Sequence, residues 1–85
     1  NAGYWLELGR CMTSGGQPVQ ALKPLQTAEG LAPANAEVQL ALGNALRDAG
    51  RKPEAVAAYR KFLELDNSGS PMRPIAERFI EILSG

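Results

Sequence analysis

Cys11 is the only thiol in the 85-residue sequence, and a thiol becomes a nucleophile or a metal ligand only with a base or further ligands beside it. No histidine is present. That removes the commonest general base, the commonest metal ligand and every His-containing triad. The carboxylates Glu7, Glu29, Glu37, Asp48, Glu54, Glu64, Asp66, Glu77 and Glu81 are dispersed, without the pairing of an acid-base couple or a metal cage. Gly15-Gly16 lacks the G-x-x-x-x-G-K-[ST] frame of a phosphate loop and reads as a helix stop. The expectation is a chain with no catalytic residue, no cofactor and no metal site. What remains for chemistry is recognition by side chains such as Arg10, Asn44 and Arg47.

The charge distribution narrows the partners. Nine basic residues balance nine acidic ones, and the balance holds locally, with two of each in 1–34, five of each in 35–69 and two of each in 70–85. Nucleic-acid affinity rests on neutralised phosphates, so no nucleic acid is expected as partner. No stretch approaches the roughly 18 apolar residues of a membrane span, and no membrane insertion is expected. Asn1-Ala2-Gly3 carries neither an initiator Met nor a signal segment. The chain reads as a fragment of a larger protein, with the cytoplasm as the default location and the periplasm open if a signal was removed.

The elements that must position these side chains emerge from a 34-residue offset. At that offset Ala2 meets Ala36, Leu6 meets Leu40, Leu8-Gly9 meets Leu42-Gly43, Gly16 meets Gly50, Ala21 meets Ala55 and Leu31 meets Leu65. Val38, Leu42, Ala45, Leu46 and Ala49 keep helical spacing up to a capping Gly50, predicting a helix over 36–49. Pro53 suits a first turn, and Ala55, Val56, Tyr59, Phe62, Leu63 and Leu65 predict a second over 52–65. The first unit repeats the plan with helices over 2–14 and 18–31. Pro24 should cost its helix on the order of 3 kcal/mol unless the helix bends. Ser70 as cap and Pro71 as first residue open a fifth helix, whose apolar stripe is Met72, Ile75, Ala76, Phe79, Ile80 and Leu83. Arg73, Glu77, Arg78 and Glu81 would form its polar outer face.

Two units, 2–35 and 36–69, resemble tetratricopeptide repeats, whose pattern is W-x2-L-G-x2-Y, then A-x3-F, then P. Trp5, Leu8, Gly9, Ala21 and Pro33 match in the first, with Met12 and Leu25 replacing the aromatics. Leu42, Gly43 and Ala55 match in the second, Tyr59 replaces Phe, and Gln39, Leu46 and Asn67 depart. The resemblance implies one all-α domain over 1–85, a right-handed α-α superhelix of five helices with 70–84 as a capping helix. Gly9 and Gly43, with Ala21 and Ala55, would permit close approach of paired helices. Cys11 aligns with Ala45 on the inner side of its helix and is expected to be a small buried thiol.

A helical wheel sets Leu40, Asn44 and Arg47 opposite the core stripe, with Leu6, Arg10 and Thr13 in the equivalent places one unit earlier. The resemblance implies that this face is a concave groove, making Leu6, Arg10, Thr13, Leu40, Asn44, Arg47 and Asp48 the candidate partner-binding residues. Leucines would give apolar contact, Asn44 would pair with a peptide amide, and the arginines would grip carboxylates. The plainer alternative is exposed leucines and solvated charges. A chaperone-type carboxylate clamp wants lysines where Leu6 and Leu40 stand. The expected function is a noncatalytic protein-interaction scaffold holding a peptide segment of another protein. Its rivals are a repeat domain appended to a larger enzyme or to a secretion, pilus or motility assembly factor, and self-association through Tyr4, Trp5, Ile80 and Ile82.

Overall fold

The computed structural model describes residues 1–85 and contains five helices and no strand: α1 (Ala2–Ser14), α2 (Pro18–Leu31), α3 (Ala36–Asp48), α4 (Lys52–Leu65) and α5 (Met72–Ser84). The 34-residue offset is visible in the helix ends. Asn1 Oδ1 accepts from the Tyr4 N–H at 2.9 Å and Asn35 Oδ1 from the Glu37 N–H at 2.9 Å, so α1 and α3 both start on an asparagine cap. Both stop in the same way. Gly16 and Gly50 take positive φ values of 84° and 81°. In each case the next N–H reaches back to the carbonyl that opens the last turn, Gln17 to Met12 at 2.8 Å and Arg51 to Leu46 at 2.9 Å. The two second helices start instead with a proline in the first turn and no side-chain cap.

Helix pairing follows from small residues set against large ones. A Cβ added to Gly43 would lie 2.8 Å from the Tyr59 ring, and one added to Gly9 would collide with Leu25. Leu25 and Tyr59 are related by the same offset, so one contact is built twice. Ala21 and Ala55 are also fully buried, as expected. Fifteen apolar residues from all five helices form one core. Pro24 leaves α2 unbroken and lies buried at the position of buried Ala58.

Several expectations need correction. Cys11 is exposed, whereas Ala45 is fully buried, because α2 packs against α3 while no helix lies against that side of α1. Leu6 belongs to the core at 6% exposure, because α1 packs on α3 as well as on α2. Helix α5 begins at Met72, one residue past Pro71, although Ser70 Oγ does accept from the Met72 N–H at 3.1 Å. Its Ile75 is exposed, leaving Met72, Ala76, Phe79, Ile80 and Leu83 on the core.

Arg73 is not on the outer face. Its Nη1 donates to the carbonyls of Leu63 at 2.9 Å and Asp66 at 2.8 Å, satisfying acceptors that the end of α4 would otherwise leave open. This ties α5 to α4. Tyr4 and Ile82 are exposed at opposite ends of the sequence at 60% and 62%, while Trp5 and Ile80 pack partly on the core. No helix is long and apolar enough to cross a membrane.

Candidate peptide groove

A cavity of about 530 Å³ opens between α1, α3 and the turn that joins α4 to α5. Its wall includes Arg10 from α1, Leu40 and Asn44 from α3, Phe62 from α4, Asp66 from the turn and Met72 from α5. Leu40, Phe62 and Met72 give it an apolar part, while Asn44 and Asp66 add polar groups. Of the seven residues expected there, Arg10, Leu40 and Asn44 line the cavity. Leu6, Thr13, Arg47 and Asp48 do not.

Each displaced residue has an identifiable occupation. Leu6 is core. The Thr13 hydroxyl donates to the Gly9 carbonyl of its own helix at 2.9 Å. Arg47 is drawn toward α4 and α5: Nε donates to Asp48 Oδ1 at 3.0 Å, Nη1 donates to the Tyr59 hydroxyl at 3.3 Å, and the guanidinium lies 4.4 Å from the centre of the Phe79 ring. Asp48 is thereby engaged as well. Arg10 reaches Glu7 at 3.3 Å and Glu37 at 3.6 Å, pairs exposed enough to add little stability. Both arginines therefore carry carboxylate partners within the chain, Arg10 through exposed pairs and Arg47 through a less exposed one.

The sequence reading missed the turn. Asp66 Oδ1 accepts from the Ser68 hydroxyl at 2.7 Å and the Ser68 N–H at 3.3 Å, while Oδ2 accepts from the Ser70 N–H at 3.3 Å and faces Arg73 at 3.5 Å. The Ser68 hydroxyl, the backbone donors and Arg73 hold the Asp66 carboxyl below its ordinary range, outweighing the opposing effect of burial. The available signal was local, an Asp followed by serines two and four places on with Gly69 between them at a positive φ of 67°.

A second polar cluster passes behind the groove. Tyr59 is fully buried, and its hydroxyl donates to Asn44 Oδ1 at 2.6 Å. Burial pushes its pKa up to about 12, against the lowering effect of Arg47. On the opposite side of α3, buried Gln39 donates to Glu29 of α2 at 2.7 Å, which satisfies the one polar residue fully enclosed between the hairpins. No three Cys, Asp or Glu side chains gather as a metal-sized group.

With that geometry in place, the family model described as tetratricopeptide repeat matches residues 36–68, which span α3, α4 and the start of the turn. That segment is a tetratricopeptide repeat, and the five-helix, strandless architecture around it is consistent with such a helical repeat. Such repeats are, as a class, noncatalytic modules of protein-protein interaction. No curated protein matches the chain. The matched segment supplies Leu40, Asn44 and Phe62 to the cavity, while Arg10 and Met72 come from outside it.

Proposed function

We propose that residues 1–85 act as one domain, two repeats over 2–35 and 36–69 with 70–84 as a capping helix, that holds a peptide segment of another protein without catalysing a reaction. The occupant lies in the groove between α1, α3 and the 66–70 turn. The observation that carries this reading is Asn44 on the wall of a cavity whose apolar part is Leu40, Phe62 and Met72. An extended peptide needs both features: a pocket for a side chain and a polar group for its backbone. Because the wall sets two carboxylates, Glu37 and Asp66, beside the single arginine Arg10, the favoured segment is neutral rather than acidic. Preorganised shape, rather than charge, supplies the affinity.

The test is a selection of peptides from a random library on the immobilised chain, followed by amide-shift mapping with each selected peptide. Peptides whose shifts centre on Leu40 and Asn44, and which bind Leu40→Glu at least about ten-fold more weakly, support the groove. Shifts centred on Tyr4 or Ile82 would move the function to the ends and favour self-association. Selection of no peptide would refute the groove.

A further inference from the structure

The polar cluster behind the groove has a direction. A guanidinium only donates hydrogen bonds, so the contact of Arg47 Nη1 with Tyr59 at 3.3 Å makes the phenolic oxygen the acceptor. The single hydroxyl proton is then left for Asn44, at 2.6 Å. It must meet the carbonyl oxygen of that amide. The reversed amide would aim one of its N–H groups at an oxygen already serving Arg47 and leave the buried hydroxyl proton without an acceptor, which a fully buried Tyr59 cannot accommodate cheaply. With one lone pair of Oδ1 held by the hydroxyl, Nδ2 is the unengaged end that Asn44 offers to the cavity it lines.

Helix α5 holds the start of this chain of contacts. Phe79 lies over the Arg47 guanidinium at 4.4 Å and stacks on the Tyr59 ring with centroids 5.5 Å apart and planes at 21°. Asp48 takes Nε at 3.0 Å, so Arg47 is fixed from two sides. The tetratricopeptide pattern places Phe where Tyr59 stands, and a Phe has no hydroxyl with which to orient Asn44.

We propose that Phe79, Arg47 and Tyr59 form a relay that fixes Asn44 with its amide donors toward the groove, making Asn44 a reader of a hydrogen-bond acceptor, a peptide carbonyl, while α5 is docked. This rests on the groove reading above and adds its polarity. Tyr59 is a positioning residue: it acts on the occupant through Asn44 and does not touch it.

Three variants separate the roles. Asn44→Asp keeps an oxygen for the Tyr59 hydroxyl and removes the donors. Tyr59→Phe removes the orienting bond and keeps the ring, and Asn44→Ala removes both ends of the contact. Each must melt as a cooperative helical protein before binding is read. The probes are the groove-mapped peptides selected by the wild-type chain. The expected result is a loss of at least about ten-fold for Asn44→Asp, and a smaller loss of about three-fold or more for Tyr59→Phe that disappears when Asn44 is already Ala.

In the free protein, the Asn44 side-chain amide should be ordered on the NMR relaxation timescale in wild type and mobile in Tyr59→Phe. Unchanged affinity for Asn44→Asp overturns the inference. So does a Tyr59→Phe loss that persists in the Asn44→Ala background, and so does an amide equally mobile in wild type and Tyr59→Phe. If no selected peptide maps to the groove, the groove reading itself fails, and the ligand half of this inference fails with it. An ordered Asn44 amide in the free protein would then remain as evidence for the relay alone.

Discussion

Replacing Gly43 by Ala and Gly30 by Ala is the same chemical change at two helical sites with opposite expected signs. At Gly43 the new methyl would meet three Tyr59 ring carbons at 2.8, 2.8 and 3.0 Å, where ordinary contact begins at 3.4 Å. The shortfall is about 0.4–0.6 Å on the steep side of the contact potential. The ring has little room to give way, with Phe79 stacked at 5.5 Å and its hydroxyl bonded to Asn44 and Arg47. Overpacking of this kind costs about 1–3 kcal/mol. Replacing a helical glycine by Ala returns about 0.5–1 kcal/mol, so Gly43→Ala should lose about 1 kcal/mol net at the middle of these ranges and about 2.5 kcal/mol at most. At Gly30 nothing lies within 4 Å, and only the gain remains. For a domain of this size each kcal/mol moves Tm by about 4–8 °C. The Tm read by circular dichroism should therefore fall by about 4–8 °C for Gly43→Ala, and by about 20 °C at most, and rise by a few degrees for Gly30→Ala. A Gly43→Ala protein at least as stable as wild type would refute the steric reasoning.

Other outcomes follow from the same contacts. Arg73→Ala should lower stability by about 1–3 kcal/mol in urea unfolding, since two carbonyls at the end of α4 lose their charged donor. Leu6→Ala should cost about 2–5 kcal/mol as a core truncation, whereas an exposed groove leucine would cost far less. The Asp66 carboxyl is held below its ordinary value of 3.8 in the folded chain, so its contribution is present above that pH and is lost as pH falls through the lowered value. The Tm difference between wild type and Asp66→Asn should accordingly hold at neutral pH and shrink as the pH is taken below 3.8. For Tyr59 the sign is opposite. Its pKa rises from 10.0 to about 12, so the stabilisation is full below 10.0 and is lost as pH rises through about 12. A phenolate absorbance titration should show one ionisation near 12 that is missing in Tyr59→Phe.

The helix limits and the roles of Gly9, Gly43, Gly16 and Gly50 followed from the 34-residue offset, because each is a local or nearest-neighbour property that recurs with the repeat. Leu6 and Cys11 were misplaced for a shared reason. A helical wheel ranks the faces of one helix but does not know which neighbours cover them, and α1 and α3 differ in their neighbours although they match in sequence position. Arg47 and Asn44 share the face expected from the wheel, yet Tyr59 binds both from another helix, across 12 and 15 residues of sequence. Arg73 turned inward because the end of α4 needed donors, a demand invisible in the pattern of α5 itself. The turn from Asp66 to Ser70 has no periodicity to read, and its part in the cavity depends on where α5 comes to rest.

The order of packing has a kinetic meaning. Helices meet chiefly their immediate successors, α1 with α2, α2 with α3, α3 with α4 and α4 with α5, and the main exception is α1 on α3. Folding such a chain requires only short loops to close before contacts reward them, so it belongs among the topologies that fold in microseconds to milliseconds. The same arrangement divides stability along the sequence. Helix α3 is held from both sides and α5 from only one, so hydrogen exchange should be slowest in α3 and should quicken toward Ser84.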